Sequence, residues 1–201
     1  PVLARAAARV GSRQVRNRGT LGGNIANASP IADGAVALLG LDARLVLASA
    51  GGERVLPLEK FYKGYKETDR QPGEIIRAVE VPLTGYAHQY LKSSKRPAVD
   101  CASVSSLCAA RLEDGRVAVC RLAFGGVAVF PVLARQAASF LAGRELDAET
   151  VRAAADLAAA EFRTIGDVRG SAAYRRALVR HHVIHHLESL RGNAELGGRY
   201  A

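Results

Sequence analysis

The stretch Gly19-Thr20-Leu21-Gly22-Gly23-Asn24 constrains this chain more than any other. Adjacent glycines lack a Cβ, so the backbone there can reach positive φ and approach a ligand closely. Consecutive N–H groups in such a turn form a concavity suited to an anion or a polarised carbonyl. Thr20, Asn24, Asn27 and Ser29 add neutral polar groups, and Asp33 follows where an apolar helical pattern begins. The order of glycines is not G-x-G-x-x-G, and no Gly-Lys-Ser/Thr follows, so neither the dinucleotide fingerprint nor the P-loop applies. By spacing alone, a tight polar turn that binds nothing is the favoured reading of these residues.

The flanking sequence supplies regular structure around that loop. Residues 1–11 read as a helix end stopped by Gly11 and Ser12. Residues 17–30 read as loop, and Ser29-Pro30 reads as the N-cap and first position of a short buried helix that breaks near Gly40. Alternation on either side of Ala50-Gly51-Gly52 predicts a hairpin, and 74–82 a further strand ended by Pro82. An extended segment covers 86–94. A second hairpin turns at Asp114-Gly115, and three helices follow from Pro131 onward. In the last helix Val179, Val183, Leu187 and Leu190 share one face. Residues 191–201 read as a flexible end.

Composition narrows the function. Of 201 residues, 49% are hydrophobic and 23% charged, which supports a packed core. No apolar run is long enough to span a bilayer, and no signal peptide is visible, so a cytoplasmic protein is expected. The net charge of +9 raises nucleic acid as a partner. The basic residues are scattered apart from Arg5, Arg9, Arg13, Arg16 and Arg18, and no aromatic interleaving accompanies them. A solvated or acid-facing surface is the reading, with no nucleic acid and no membrane partner. Cys101, Cys108 and Cys120 lack metal-site spacing and read as buried free thiols. His181, His182, His185 and His186 form two i,i+4 pairs, but nothing in sequence completes a metal shell, so they read as an exposed helix face. No residue is assigned a catalytic or metal-binding role.

Arg16–Asp33, RNRGTLGGNIANASPIAD, resembles the second flavin-contacting stretch of the xanthine dehydrogenase family of molybdenum hydroxylases, which includes aldehyde oxidase and carbon monoxide dehydrogenase. The likeness continues through Pro57–Phe61 with Gly64-Tyr65-Lys66, Pro72–Ile76, Lys92–Arg96 with Asp100, Leu122–Gly126 and Asp167–Arg175. It covers roughly residues 8–190, and bacterial small-subunit xanthine dehydrogenases are similar in feel. Three positions depart from the pattern: Val10 stands near a frequent aromatic, Val127 where many relatives have Met, and Pro97 where an aromatic is usual.

The resemblance implies an α+β fold: the second lobe of a two-lobe, PCMH-type FAD-binding domain over 1–84, a hairpin or sheet with three helices over 85–193, and a tail over 194–201. It implies an electron relay in which molybdenum chemistry lies elsewhere, two 2Fe-2S clusters feed FAD, and FAD feeds NAD. The cofactor contacts carried over are Thr20, Leu21, Gly22, Gly23, Asn24, Asp33, Ile76 and Lys92, with Asn27 a weaker candidate. The implied partners are an upstream FAD lobe, iron–sulfur domains and a molybdenum-cofactor subunit, together forming a hetero-oligomer. The chain has no methionine, not even at position 1, so it reads as a processed or partial chain, inactive alone. The alternative is a non-catalytic interaction fragment whose flavin contacts are vestigial.

Overall fold

The computed structural model describes residues 2–195, with side chains described through 192. Four layers are stacked. The outermost is a three-stranded antiparallel sheet in the order β2-β1-β5, built from β1 (Arg44–Ser49), β2 (Gly52–Pro57) and β5 (Ile75–Glu80). Between β2 and β5 lies a small hairpin of β3 (Tyr62–Gly64) and β4 (Glu67–Thr68). Beneath the outer sheet lies α4 (Asp33–Gly40), flanked by α1 (Val2–Ala8), α2 (Arg13–Arg18) and α3 (Leu21–Ala26). The third layer is the sheet β6-β7-β8-β9, made of β6 (Ala87–Ser93), β7 (Val104–Glu113), β8 (Arg116–Gly125) and β9 (Val132–Leu133). Its far face carries α5 (Arg135–Leu141), α6 (Ala148–Glu161) and α7 (Ala172–Glu195).

This order explains two sequence patterns. All eight residues of α4 are buried because sheets cover the helix from both sides. Strand β7 is buried continuously from Val104 to Ala110 for the same reason: Leu107 and Ala109 face α1 and α4, while Val104, Cys108 and Ala110 face α5–α7. A strand covered on both faces loses the polar alternation that marks a half-exposed one. The helix approaches β7 closely at Gly40, where a Cβ would sit against Leu107 Cδ2 and 3.1 Å from Leu107 Cβ.

Both expected hairpins are present. Ala50-Gly51 joins Ser49 to Gly52, and Asp114-Gly115 has positive φ at both residues (50° and 76°), as a tight turn between twisted strands requires. Val179, Val183, Leu187 and Leu190 all lie in the core cluster beneath α5 and α6. Other expectations are corrected. Residues 17–30 are not continuous loop, because they contain part of α2 and all of α3. The helix after Pro30 starts at Asp33 with Ala32 as N-cap, whereas the Ser29 hydroxyl accepts from the Ile31 N–H. Short strand β9 precedes α5. Residues 191–195 continue α7, and the remainder of the expected tail lies outside the described residues. Cys101 is exposed and Cys120 half-buried, so only Cys108 is a buried thiol.

Candidate functional site

The glycine stretch is a capped helix, not an open turn. Thr20 has extended backbone angles, and its Oγ1 accepts from the Gly23 N–H at 2.9 Å, so it serves as the N-cap of α3. Gly22 and Gly23 lie inside that helix, and neither needs positive φ. The expected row of free N–H groups is therefore partly spent on the chain itself. What the glycines provide is room: a Cβ at Gly23 would meet Thr20 Oγ1 at 3.0 Å.

From α3, Asn24 reaches across to α4. Its Oδ1 accepts from the Ala35 N–H at 3.1 Å, serving one of the first-turn donors that Ala32 cannot cap. Gly34 permits this approach, since a Cβ there would lie 2.7 Å from Asn24 Oδ1.

Asp33 opens α4, and its carboxylate is engaged from β6. Tyr90 Oη donates to Asp33 Oδ1 at 2.6 Å, and Lys92 Nζ donates to Oδ2 at 2.7 Å. Lys92 also donates to the Arg9 carbonyl at 2.7 Å. The ion pair is almost wholly buried, with side-chain exposures of 4% for Lys92 and 6% for Asp33. Such a pair offsets the cost of burying two charges only when further hydrogen bonds support it, as the one from Tyr90 and the one to Arg9 do here. Burial, and next the Asp33 charge, push the Tyr90 phenol far above its usual range, so it remains a donor.

Two clefts meet at the corner between α1 and α2, and Ala8 and Arg16 line both. The larger, about 630 Å³, has Thr20, Leu21, Gly23 and Asn24 on one wall and Val10, Val15, Arg16 and Arg18 on the other. Val15 is 53% exposed and Leu21 37%, so this cleft presents apolar surface beside two guanidinium groups. The smaller, about 330 Å³, is lined by Lys92, Arg9, Arg13 and the loop from Pro97 to Asp100. A third cleft of about 560 Å³ lies beyond the other end of α3, with Ile31, Tyr65, Lys66, Ile165 and Arg169 in its walls.

The eight expected contacts thus share one neighbourhood without converging on one surface. Thr20, Leu21, Gly23 and Asn24 line the larger cleft and Lys92 the smaller, with Asp33 buried behind Lys92. Gly22 faces Ile76 of β5, 4.0 Å from a Cβ placed on the glycine, and Ile76 lines neither cleft. Asn27 is taken by Lys66, whose Nζ donates to its Oδ1 and carbonyl at 3.0 and 2.8 Å. Tyr90 was missed, although its i,i+2 relation to Lys92 in a strand pattern would have placed both on one face.

The histidine reading is corrected. His181 and His185 are exposed, but His182 and His186 are buried and bonded to Ser93, Ser106 and Gln89. The polar face of α7 is turned partly towards β6 and β7, whose small serines leave room for two imidazoles.

Residues 1–84 match the FAD binding domain in molybdopterin dehydrogenase, and residues 89–190 match the CO dehydrogenase flavoprotein C-terminal domain. The chain is 36% identical over 181 residues to the glyceraldehyde dehydrogenase medium chain of Sulfolobus acidocaldarius, covering 90% of this chain and 64% of that one. It is 34% identical over 182 residues to the carbon monoxide dehydrogenase medium chain of Hydrogenophaga pseudoflava, covering 89% and 62%. A solved carbon monoxide dehydrogenase from Hydrogenophaga pseudoflava, lacking the Mo-pyranopterin moiety, superposes with a TM-score of 0.87 at 33% identity, over 92% of this chain and 65% of that one. The chain therefore spans less than two thirds of the length of these relatives.

Proposed function

The chain belongs to the flavoprotein family of the molybdenum hydroxylases, and from that premise we propose that it forms one wall of an FAD site that relays electrons out of such an enzyme. The observation that carries this reading is the pairing of the Lys92 ammonium, held by Asp33 and the Arg9 carbonyl, with a neighbouring apolar cleft rimmed by arginines. The donor set fits the cofactor. An apolar wall of Val10, Val15 and Leu21 suits a flat ring, Arg16 and Arg18 suit a pyrophosphate, and Thr20 and Asn24 keep further donors for carbonyl or hydroxyl groups.

FAD bound there would supply two-electron chemistry with the ability to take electrons singly. The chain's own part is electrostatic. Lys92 adds fixed positive charge that favours an electron-rich ring, and burial keeps that charge from being screened by water. Val10, Val15 and Leu21 exclude solvent from a ring laid against them.

The finer features of this reading rest on the family. Iron–sulfur clusters supply the electrons, a separate subunit holds the molybdenum cofactor, an upstream flavin lobe closes the site, and the chain alone is inactive. The domain division at residues 84 and 85, with a PCMH-type second lobe first, belongs to the same proposal. For NAD as acceptor, the support is the resemblance together with the third cleft, where Tyr65 offers a ring and Lys66 and Arg169 offer cations to a dinucleotide. The organic substrate is left open, since both glyceraldehyde and carbon monoxide dehydrogenases are similar. No helix among the described residues is long and apolar enough to cross a membrane.

A non-catalytic interaction role is the second reading, favoured by the aliphatic Val10 and by the commitment of Thr20 and Asn24 oxygens to backbone donors. Flavin absorbance of the assembled complex separates the two. Stoichiometric FAD supports the cofactor site, and a folded complex without FAD would falsify it.

A further inference from the structure

Tyr90 and Lys92 stand two residues apart on β6, opposite Leu107 and Ser105 of β7, so both side chains leave the sheet on the α4 side. The Lys92 ammonium has three N–H bonds. One reaches the Arg9 carbonyl and one reaches Asp33 Oδ2, which leaves the third for the smaller cleft that Lys92 lines.

Asp33 works against that third bond. A carboxylate 2.7 Å from an ammonium, with both buried, cancels much of the field the cation sends elsewhere. Tyr90 alters the balance. Its hydroxyl donates to Oδ1, the oxygen Lys92 does not use, at 2.6 Å. That bond fixes the carboxylate plane and draws negative charge away from the lysine side. Without it, both carboxylate oxygens compete for the ammonium, and the lysine is free to swing from Arg9 to a two-oxygen contact with Asp33.

We propose that Tyr90 is a positioning residue of the cofactor site: acting through Asp33, it sets how much of the Lys92 charge reaches the bound ring. This rests on the flavin reading above and deepens it.

The test uses the assembled, flavin-containing complex and reads the midpoint potential of its FAD. Tyr90→Phe keeps the ring and removes only the hydroxyl. The reduction equilibrium is expected to move about tenfold towards the oxidised form, a fall of about 30 mV for a two-electron couple. In a Lys92→Gln background the same substitution is expected to change the potential by much less, because its effect passes through the lysine. A merely structural tyrosine would give no such coupling. An unchanged potential in Tyr90→Phe, or an equal fall in both backgrounds, overturns the proposal. Should Tyr90→Phe fail to assemble, Asp33→Asn carries the test: it removes the opposing charge, and the potential must rise. A wild-type complex that holds no FAD defeats the flavin reading itself, an outcome distinct from a bound flavin that is indifferent to Tyr90.

Discussion

His182 and His186 share one hydroxyl: Ser106 Oγ lies 2.8 Å from His182 Nδ1 and 2.8 Å from His186 Nε2. The proton positions follow from the ends of the chain. Gln89 Nε2 donates to Ser189, which turns Gln89 Oε1 towards His186 Nδ1 at 2.7 Å, so Nδ1 carries the proton. His186 Nε2 then accepts from Ser106, Ser106 accepts from His182 Nδ1, and His182 Nε2 accepts from Ser93 at 2.8 Å. Every hydrogen has an acceptor with both rings neutral. Adding a proton to His186 leaves the Ser106 hydroxyl without its acceptor, and adding one to His182 does the same to the Ser93 hydroxyl.

Stability should therefore fall in mild acid. Burial first, and the neighbouring histidines second, pull the His182 pKa down to about 4, and His186 is lowered by the same causes. The unfolded chain takes up protons below about 6.5 while the folded one does not. The contribution is complete above 6.5 and is lost as pH falls towards the folded pKa, roughly 3 kcal/mol for His182 across that range. Glu74, held at about 2 chiefly by Arg54, loses its contribution only below about 4.5, so the window from 6.5 to 4.5 belongs to the histidines. Urea midpoints measured against pH should slope in that window for the wild type and slope less steeply in His182→Gln, where His186 still contributes. An equal slope in both would assign the effect elsewhere.

Lys92→Ala should make the bound flavin harder to reduce and slow electron delivery to it, since a fixed positive charge is removed. It also strands a buried Asp33, at a cost of roughly 3–5 kcal/mol. Spectroelectrochemical titration reads the first effect and thermal denaturation the second. A stable variant with an unchanged flavin potential would reduce Lys92 to a structural partner of Asp33.

Gly23→Val should lower flavin content per complex. The added side chain also crowds Thr20 Oγ1, so loss of the cap must be separated from loss of the ligand. Thermal denaturation of the variant serves as that control, since loss of the cap costs about 1 kcal/mol. Flavin content that is full in Gly23→Val, or that falls only because the complex fails to assemble, removes Gly23 from the cofactor contacts.

Gly40→Ala should destabilise the chain by about 1–3 kcal/mol, because a new methyl group presses on Leu107 between helix and sheet. Combining it with Leu107→Val should recover part of the loss by opening space on the sheet side. Chemical denaturation of the single and double variants measures both, and strict additivity would show that the two residues do not share the contact.

Local chemistry made much of the architecture legible. The Ala50-Gly51 and Asp114-Gly115 turns, the paired strands beside them and the apolar face from Val179 to Leu190 depend on residues a few positions apart. The candidate site was legible as a set of positions but not as a shape. Gly22 and Gly23 read as loop because glycine is a poor helix former, yet the Thr20 cap and packing against α4 hold six residues in a helix. His182 and His186 read as exposed because nothing near them in sequence pairs with an imidazole; their partners Ser106 and Gln89 are 76 to 97 residues away. Asp33 likewise meets Tyr90 and Lys92 across 57 and 59 residues. Turn and strand preferences act through neighbouring dihedrals and are written in the local sequence. A buried charge or imidazole instead takes its meaning from the groups that replace water around it, and only the stacking of α4 and α7 on opposite faces of one sheet brings those groups into place.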